Sequence, residues 1–158
     1  EVLNYVRSMN LPRGKQGGIN YGQKKQEGQS DTEQLIDIAN YLRKKYKVNI
    51  KREIYMTFDI ETEKIIKIKD HVNKDDLWKD KKPIAFAKNP DLFWIDKYGM
   101  WIIEVDGAVH DRKVKKTNER NELFISNYIK LIVVNLADLK ELRINIYDYI
   151  DQRIKELI

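Results

Sequence analysis

Apolar positions recur along this chain with two periods, and the change from one to the other marks its elements. Leu35, Ile38, Ala39, Leu42 and Tyr46 fall at helical spacing. Ser30-Asp31-Thr32-Glu33 precedes them in capping-box order, which predicts a helix with Ser30 as its N-cap and Glu33 at its third position. Lys44, Lys45 and Lys47 sit at the far end, where cations suit the helix dipole. Alternation then takes over. Val48, Ile50, Ile54, Met56 and Phe58 predict a strand over 48–58, and Ile65, Ile66 and Ile68 a second over 64–69. Residues 70–83 are polar, with Trp78 embedded, and read as a loop or a short irregular helix; Ile84–Ala87 reads as a short edge segment.

Two strongly apolar runs follow, Leu92–Ile95 and Met100–Val105, joined by Asp96-Lys97-Tyr98-Gly99. Gly99 is the only glycine between Gly28 and Gly107, so the pattern predicts a β-hairpin buried on at least one face. A helix is expected from about Lys113 to Tyr128, a buried strand over 130–134, a brief helix over 136–142, and a final amphipathic helix through Ile146, Tyr147, Ile150, Ile154 and Leu157. No internal repeat is visible. This order predicts an α/β fold, a mixed central sheet flanked by helices.

The first 29 residues differ in character. Val2, Leu3, Val6, Met9 and Leu11 suggest a short docking helix, whereas five of the seven glycines fall between Pro12 and Gln29. That stretch reads either as a solvated linker or as an arm that tracks DNA. The expected organisation is therefore an N-terminal arm over 1–29 and a single domain over 30–158. Because the chain opens on Glu1, an initiator methionine is expected to be missing, and the loss of an upstream segment with it stays open.

Composition narrows the chemistry. Cysteine is absent, which removes disulfides, thiolate zinc sites and cysteine nucleophiles, and suits an intracellular setting. No apolar run approaches bilayer length, so no membrane partner is expected. The net charge of +5 favours an anionic partner such as nucleic acid.

Carboxylates interrupt the hairpin where a structural strand would carry Val or Ile. Glu104 and Asp106 lie two apart and leave one face of a strand, and Asp91 opens the strand opposite. Buried unpaired carboxylates are costly, and a shared cation is the simplest compensation. Hard divalent ions such as Mg²⁺ take carboxylate oxygens together with water and substrate phosphate. Asp91, Glu104, and Glu33 or Asp106 supply that kind of site, with Glu33 equally explained as a helix cap. His110 lies just past Gly107, where it either handles a proton of the attacking water or leaving group or is simply solvated. His71, alone in a charged loop, reads as solvated. Arg112, Lys113, Lys115 and Lys116 are an ordinary solvated helix face taken alone; beside an acidic centre they would attract a polyanion.

With these residues in place, the chain resembles the PD-(D/E)XK nuclease superfamily, and within it the very short patch repair endonuclease-like branch and the EDxHD homing endonucleases. Pro90-Asp91, the run Glu104-Val105-Asp106-Gly107 with His110, and Arg120 with Leu123 carry the likeness, preceded by the helix acid Glu33. The resemblance spans about residues 30–140. It implies a restriction-endonuclease-like core and a Mg²⁺-dependent (or Mn²⁺-dependent) DNA endonuclease. Asp91 and Glu104 would bind metal, Glu33, Asp106 and His110 would join the catalytic set, and Arg112, Lys113, Lys115, Lys116 and Arg120 would contact DNA.

Two positions depart from the pattern. Asp106 stands where the motif lysine is usual, and Thr117 where relatives carry an acid three residues before the helix arginine. The absence of cysteine argues against the structural zinc of the mismatch-nicking members, so a mismatch-nicking role is not favoured. Two other readings stay open: a catalytically inactive DNA-binding module that keeps the fold, and a metal-dependent hydrolase of small phosphoesters. Cutting both DNA strands would call for a symmetric pair of sites, hence a homodimer.

Overall fold

The computed structural model describes residues 22–106 and 114–158. The chain is mixed α/β, and its described residues divide into two compact units, one with residues 22–33 and 54–89, the other within residues 34–53 and 90–158.

Helix α1 runs from Gly22 to Tyr46, so it does not start at Ser30. The capping-box order at Ser30–Glu33 is therefore not used as a cap, and Glu33 is an exposed residue within the helix. The reason is local: Gln23-Lys24-Lys25-Gln26-Glu27 are good helix formers, enough to carry the helix through Gly28. The expected strand over 48–58 is also shorter. Only Tyr55–Asp59 (β1) is strand; Glu53 takes a left-handed conformation at φ 56°, which breaks the extended run ahead of it.

In the first unit, β1 is the middle of an antiparallel sheet in the order β2-β1-β5, with β2 spanning Ile65–Lys69 and β5 Ala85–Lys88. Met56, Thr57 and Phe58 are buried, as suits a central strand, and Phe58 stacks on Phe86 at 5.5 Å. Between β2 and β5 come helix α2 (Lys74–Leu77) and a two-stranded ribbon, β3 (Trp78–Lys79) with β4 (Lys82–Pro83). The Asp76 carboxylate accepts the Asn73 backbone N–H at the start of α2 and pairs with Lys69 at 2.8 Å. The ribbon's two-residue turn puts Asp80 at φ 52° and Lys81 at φ 66°, both left-handed. Such a turn prefers Asn-Gly or Asp-Gly, and a side chain at Lys81 costs about 1 kcal/mol.

In the second unit the sheet order is β6-β7-β8: Leu92–Asp96, Gly99–Asp106 and Lys130–Asn135. The expected hairpin is β6-β7, closed by the Asp96↔Gly99 pair. Gly99 sits at φ 124°, a conformation other residues avoid, and the Asp96 side chain accepts the Tyr98 N–H at 2.8 Å. Asp96 also accepts both indole N–H groups of the directly paired Trp94 and Trp101, whose rings stack at 5.3 Å. One carboxylate thus holds the turn and both tryptophans.

Helix α3 (Val114–Ser126) connects β7 to β8, and the two strands pair in parallel. Tyr128 follows at φ 62°, which ends the helix two residues before the expected limit. Helices α4 (Leu136–Leu142) and α5 (Ile146–Leu157) match their expected ranges. Leu92, Trp94, Trp101, Ile103, Ile132 and Val134 line one sheet face and pack against Ile38, Ala39 and Leu42 of α1, Leu139 of α4, and Ile150 and Ile154 of α5. The mixed sheet therefore has three strands, and the earlier strands form a separate sheet. No described helix is long and apolar enough to cross a membrane.

Candidate functional site

The odd residues 101, 103 and 105 of β7 take the apolar face, so the pleat sends Ile102, Glu104 and Asp106 to the other. That face meets α3, and its site lies near the C-terminal end of the parallel β7-β8 pair. Open α/β sheets collect ligands at such strand ends.

Glu104 is 5% exposed, the only buried acid among the described residues. Asp91 directly precedes β6, and because Leu92 pairs with Ile103, Asp91 comes opposite Glu104. Its Oδ2 accepts the Val105 backbone N–H at 2.8 Å, which fixes the carboxylate against β7. Burial, then the charge of Asp91 close by, pushes Glu104 up to about 8, with Arg120 pulling the other way. A protonated Glu104 can donate to Asp91, and that contact raises it further. A proton shared between the two acids thus offsets their repulsion.

Arg120, on α3, places Nε 3.8 Å from Glu104 Oε1, too far for a good hydrogen bond. That Nε is buried and has no hydrogen-bond partner, while Nη2 reaches the Asn121 side chain at 3.3 Å. A buried donor left 3.8 Å from a carboxylate marks an ion pair that has not fully closed. From sequence, Arg120 was expected to contact DNA; the structure sets it beside the buried acid. The spacing of Arg120 and Leu123 put the helix in view but could not say which strand residue it faced.

The residues present fit a hard divalent cation. Two carboxylates converge, one of them strained by the charge of the other, and their oxygens are the ligand type Mg²⁺ takes. Among the described residues no group of three or more His, Asp or Glu side chains could hold a metal ion; a cation here would have the Asp91–Glu104 pair, and water and phosphate would have to complete its shell.

Asp106 ends β7, half-buried, on the Glu104 face. Glu33 is exposed on α1, and Lys116 is exposed on α3; Lys115 belongs to the same helix. His110, Arg112 and Lys113 lie outside the described residues.

Comparison with protein-family models, with curated proteins and with solved structures gave no match. The functional reading therefore stands on the site itself.

Proposed function

We propose that this protein is a metal-dependent DNA endonuclease with a restriction-endonuclease-like core. The observation that carries the reading is the buried Glu104 held against Asp91, at the end of a parallel strand pair and next to Arg120. A purely structural buried acid is expected to face a cation in hydrogen-bonding reach. Glu104 is instead bonded to a second acid, Asp91, while the arginine stops short at 3.8 Å.

In this reading Asp91 and Glu104 hold Mg²⁺ or Mn²⁺, which when bound supplies positive charge to the scissile phosphate and lowers the pKa of a coordinated water. The Val105 N–H donates to Asp91 Oδ2 and so keeps that carboxylate aimed at the site. Arg120 favours the ionised form of Glu104 that a metal needs, against the burial and the Asp91 charge that oppose it. Asp106, on the same face, and His110, by its place in the sequence, are the proton-handling candidates; Glu33 is the helix acid implied by the resemblance. Lys113, Lys115 and Lys116 with Arg112 would offset the repulsion between an acidic centre and DNA. Double-strand cutting would use a pair of protomers.

The second reading, a DNA-binding module without activity, is favoured by one observation: Asp106 stands where the family has its lysine. Incubation of supercoiled, branched and linear DNA with wild type and Glu104→Ala, with Mg²⁺ or with chelator, decides between them. Nicking or linearisation that needs both Mg²⁺ and Glu104 supports the enzyme. DNA retention without cleavage by either protein overturns it in favour of the inactive module.

A further inference from the structure

The β3-β4 hairpin stands apart from the rest of its unit. Every residue from Trp78 to Ile84 is exposed, although the run contains a tryptophan, a proline and an isoleucine. The hairpin is nevertheless anchored: the Trp78 N–H closes α2 on the Lys74 carbonyl, and Ile84 N–H donates to the Leu77 carbonyl at 2.7 Å. Of the chain's three tryptophans, Trp94 and Trp101 are buried, while Trp78 is 44% exposed.

The register gives the hairpin two faces. Trp78 pairs with Pro83 and Lys79 with Lys82, so the pleat turns the ring pair to one side and the lysine pair to the other. Like charges directly opposite on a ribbon repel, and no described acid forms an ion pair with Lys79, Lys81 or Lys82. Lys81 adds a third cation at the tip, in a backbone conformation where glycine would be easier. An anion between these ammonium groups removes the repulsion. An exposed ring on the opposite face offers a flat surface to a base.

We propose that this hairpin is a DNA contact that takes an unpaired strand, with Trp78 and Pro83 stacking on an unpaired base and Lys79, Lys81 and Lys82 holding backbone phosphate. A duplex interior offers phosphates but no free base face; an unpaired strand offers both. Lysines that match a polyanion together with an exposed ring pair that matches a base favour nucleic acid over an acidic protein surface, and the restriction to DNA rests on the proposed endonuclease reading. It narrows that reading to substrates with unpaired nucleotides, such as forks, flaps and branched molecules.

The test is a titration of full-length protein, in chelator, with forked, single-stranded and blunt duplex oligonucleotides, read by tryptophan fluorescence. Forked and single-stranded DNA should quench the Trp78 emission, and Trp78→Phe should remove that component while Trp94 and Trp101 still emit. Trp78→Ala should weaken fork binding about 10-fold, as expected for loss of one stacked base, and leave blunt duplex binding as it was. Lys79→Ala/Lys82→Ala should lower the salt dependence of log K for single strands by about 1.4, two contacts' worth. Circular dichroism of each variant separates lost contact from lost fold.

Binding of forks and blunt duplex with equal strength and without quenching overturns the hairpin proposal and leaves the DNA reading in place. Absence of binding to every DNA overturns both. Quenching by forks together with no Mg²⁺-dependent cleavage upholds the hairpin and removes the enzyme.

Discussion

Glu104 makes a measurable statement about pH. Its folded pKa of about 8 lies above the unfolded carboxyl value of 4.5, so the folded protein holds the proton more tightly than the unfolded chain. The stabilising contribution is therefore full below about pH 4.5, declines as pH rises, and is gone above about pH 8. Melting of the metal-free protein across this window should show that decline, and added Mg²⁺ should restore stability at its alkaline end. Binding of Mg²⁺ at pH 7 should release close to one proton, read by calorimetry in buffers of different ionisation enthalpy. Glu104→Gln removes the ionisation while keeping a group that can donate to Asp91. The variant should melt higher than wild type at pH 8 yet bind no Mg²⁺; a lower melting point there would show that the ionised acid is not a burden. For His110, replacement by alanine should lower turnover several-fold and leave Mg²⁺ affinity nearly intact, and unchanged turnover would make it a solvated residue. At this scale the sequence revealed the acids, because Glu and Asp are conspicuous inside apolar runs. It hid the place of Arg120, since a spacing on one helix does not say which strand the helix will cover.

Among the elements, legibility followed the strength of the period. The hairpin, β8, α4 and α5 have dense apolar patterns and lie where the pattern put them. Two of the departures share a cause: local backbone behaviour outweighed pattern. Helix α1 ran past a good capping box because nothing before Ser30 stopped it, and the strand before β1 was cut by a left-handed Glu53. The β3-β4 turn was hidden because Asp80-Lys81 lacks the glycine that signals such turns. Non-glycine caps recur: Lys47, Tyr128 and Arg143 all take left-handed conformations just past helices. Tyr128 is 92% exposed, so its ring loses nothing on removal, and Tyr128→Gly should raise stability by about 0.5–1 kcal/mol in denaturant melts. A second element-level device ties α5 to α1. Asp151 accepts the hydroxyls of Tyr41 and Tyr46, each at 2.5 Å, and Lys45 at 2.7 Å. Burial raises the Asp151 carboxyl, but these three donors together outweigh it and hold the group below its ordinary value. Asp151→Ala strands two tyrosine hydroxyls and should cost about 1–3 kcal/mol, measured by the same melts.

At the level of the whole molecule, the second unit is built from two separated stretches of chain, with residues 54–89 leaving it and returning. The exit and return are stitched together by reciprocal backbone bonds between Lys51 and Phe93, at 2.7 and 3.0 Å. Sequence gave no hint of this, because the pairing joins residues far apart in the chain and involves main-chain atoms alone. Its consequence is one of engineering: where the two stretches of the second unit are already held side by side, the chain between them can be replaced. A chain in which a short turn replaces residues 54–89 should still bury the Trp94–Trp101 pair, melt cooperatively and bind Mg²⁺ through Asp91 and Glu104. It should also lose its preference for forked over blunt DNA, since Trp78 and its lysines leave with the excised stretch. Substrate choice and metal chemistry would then be separable cassettes on one polypeptide, open to exchange one at a time.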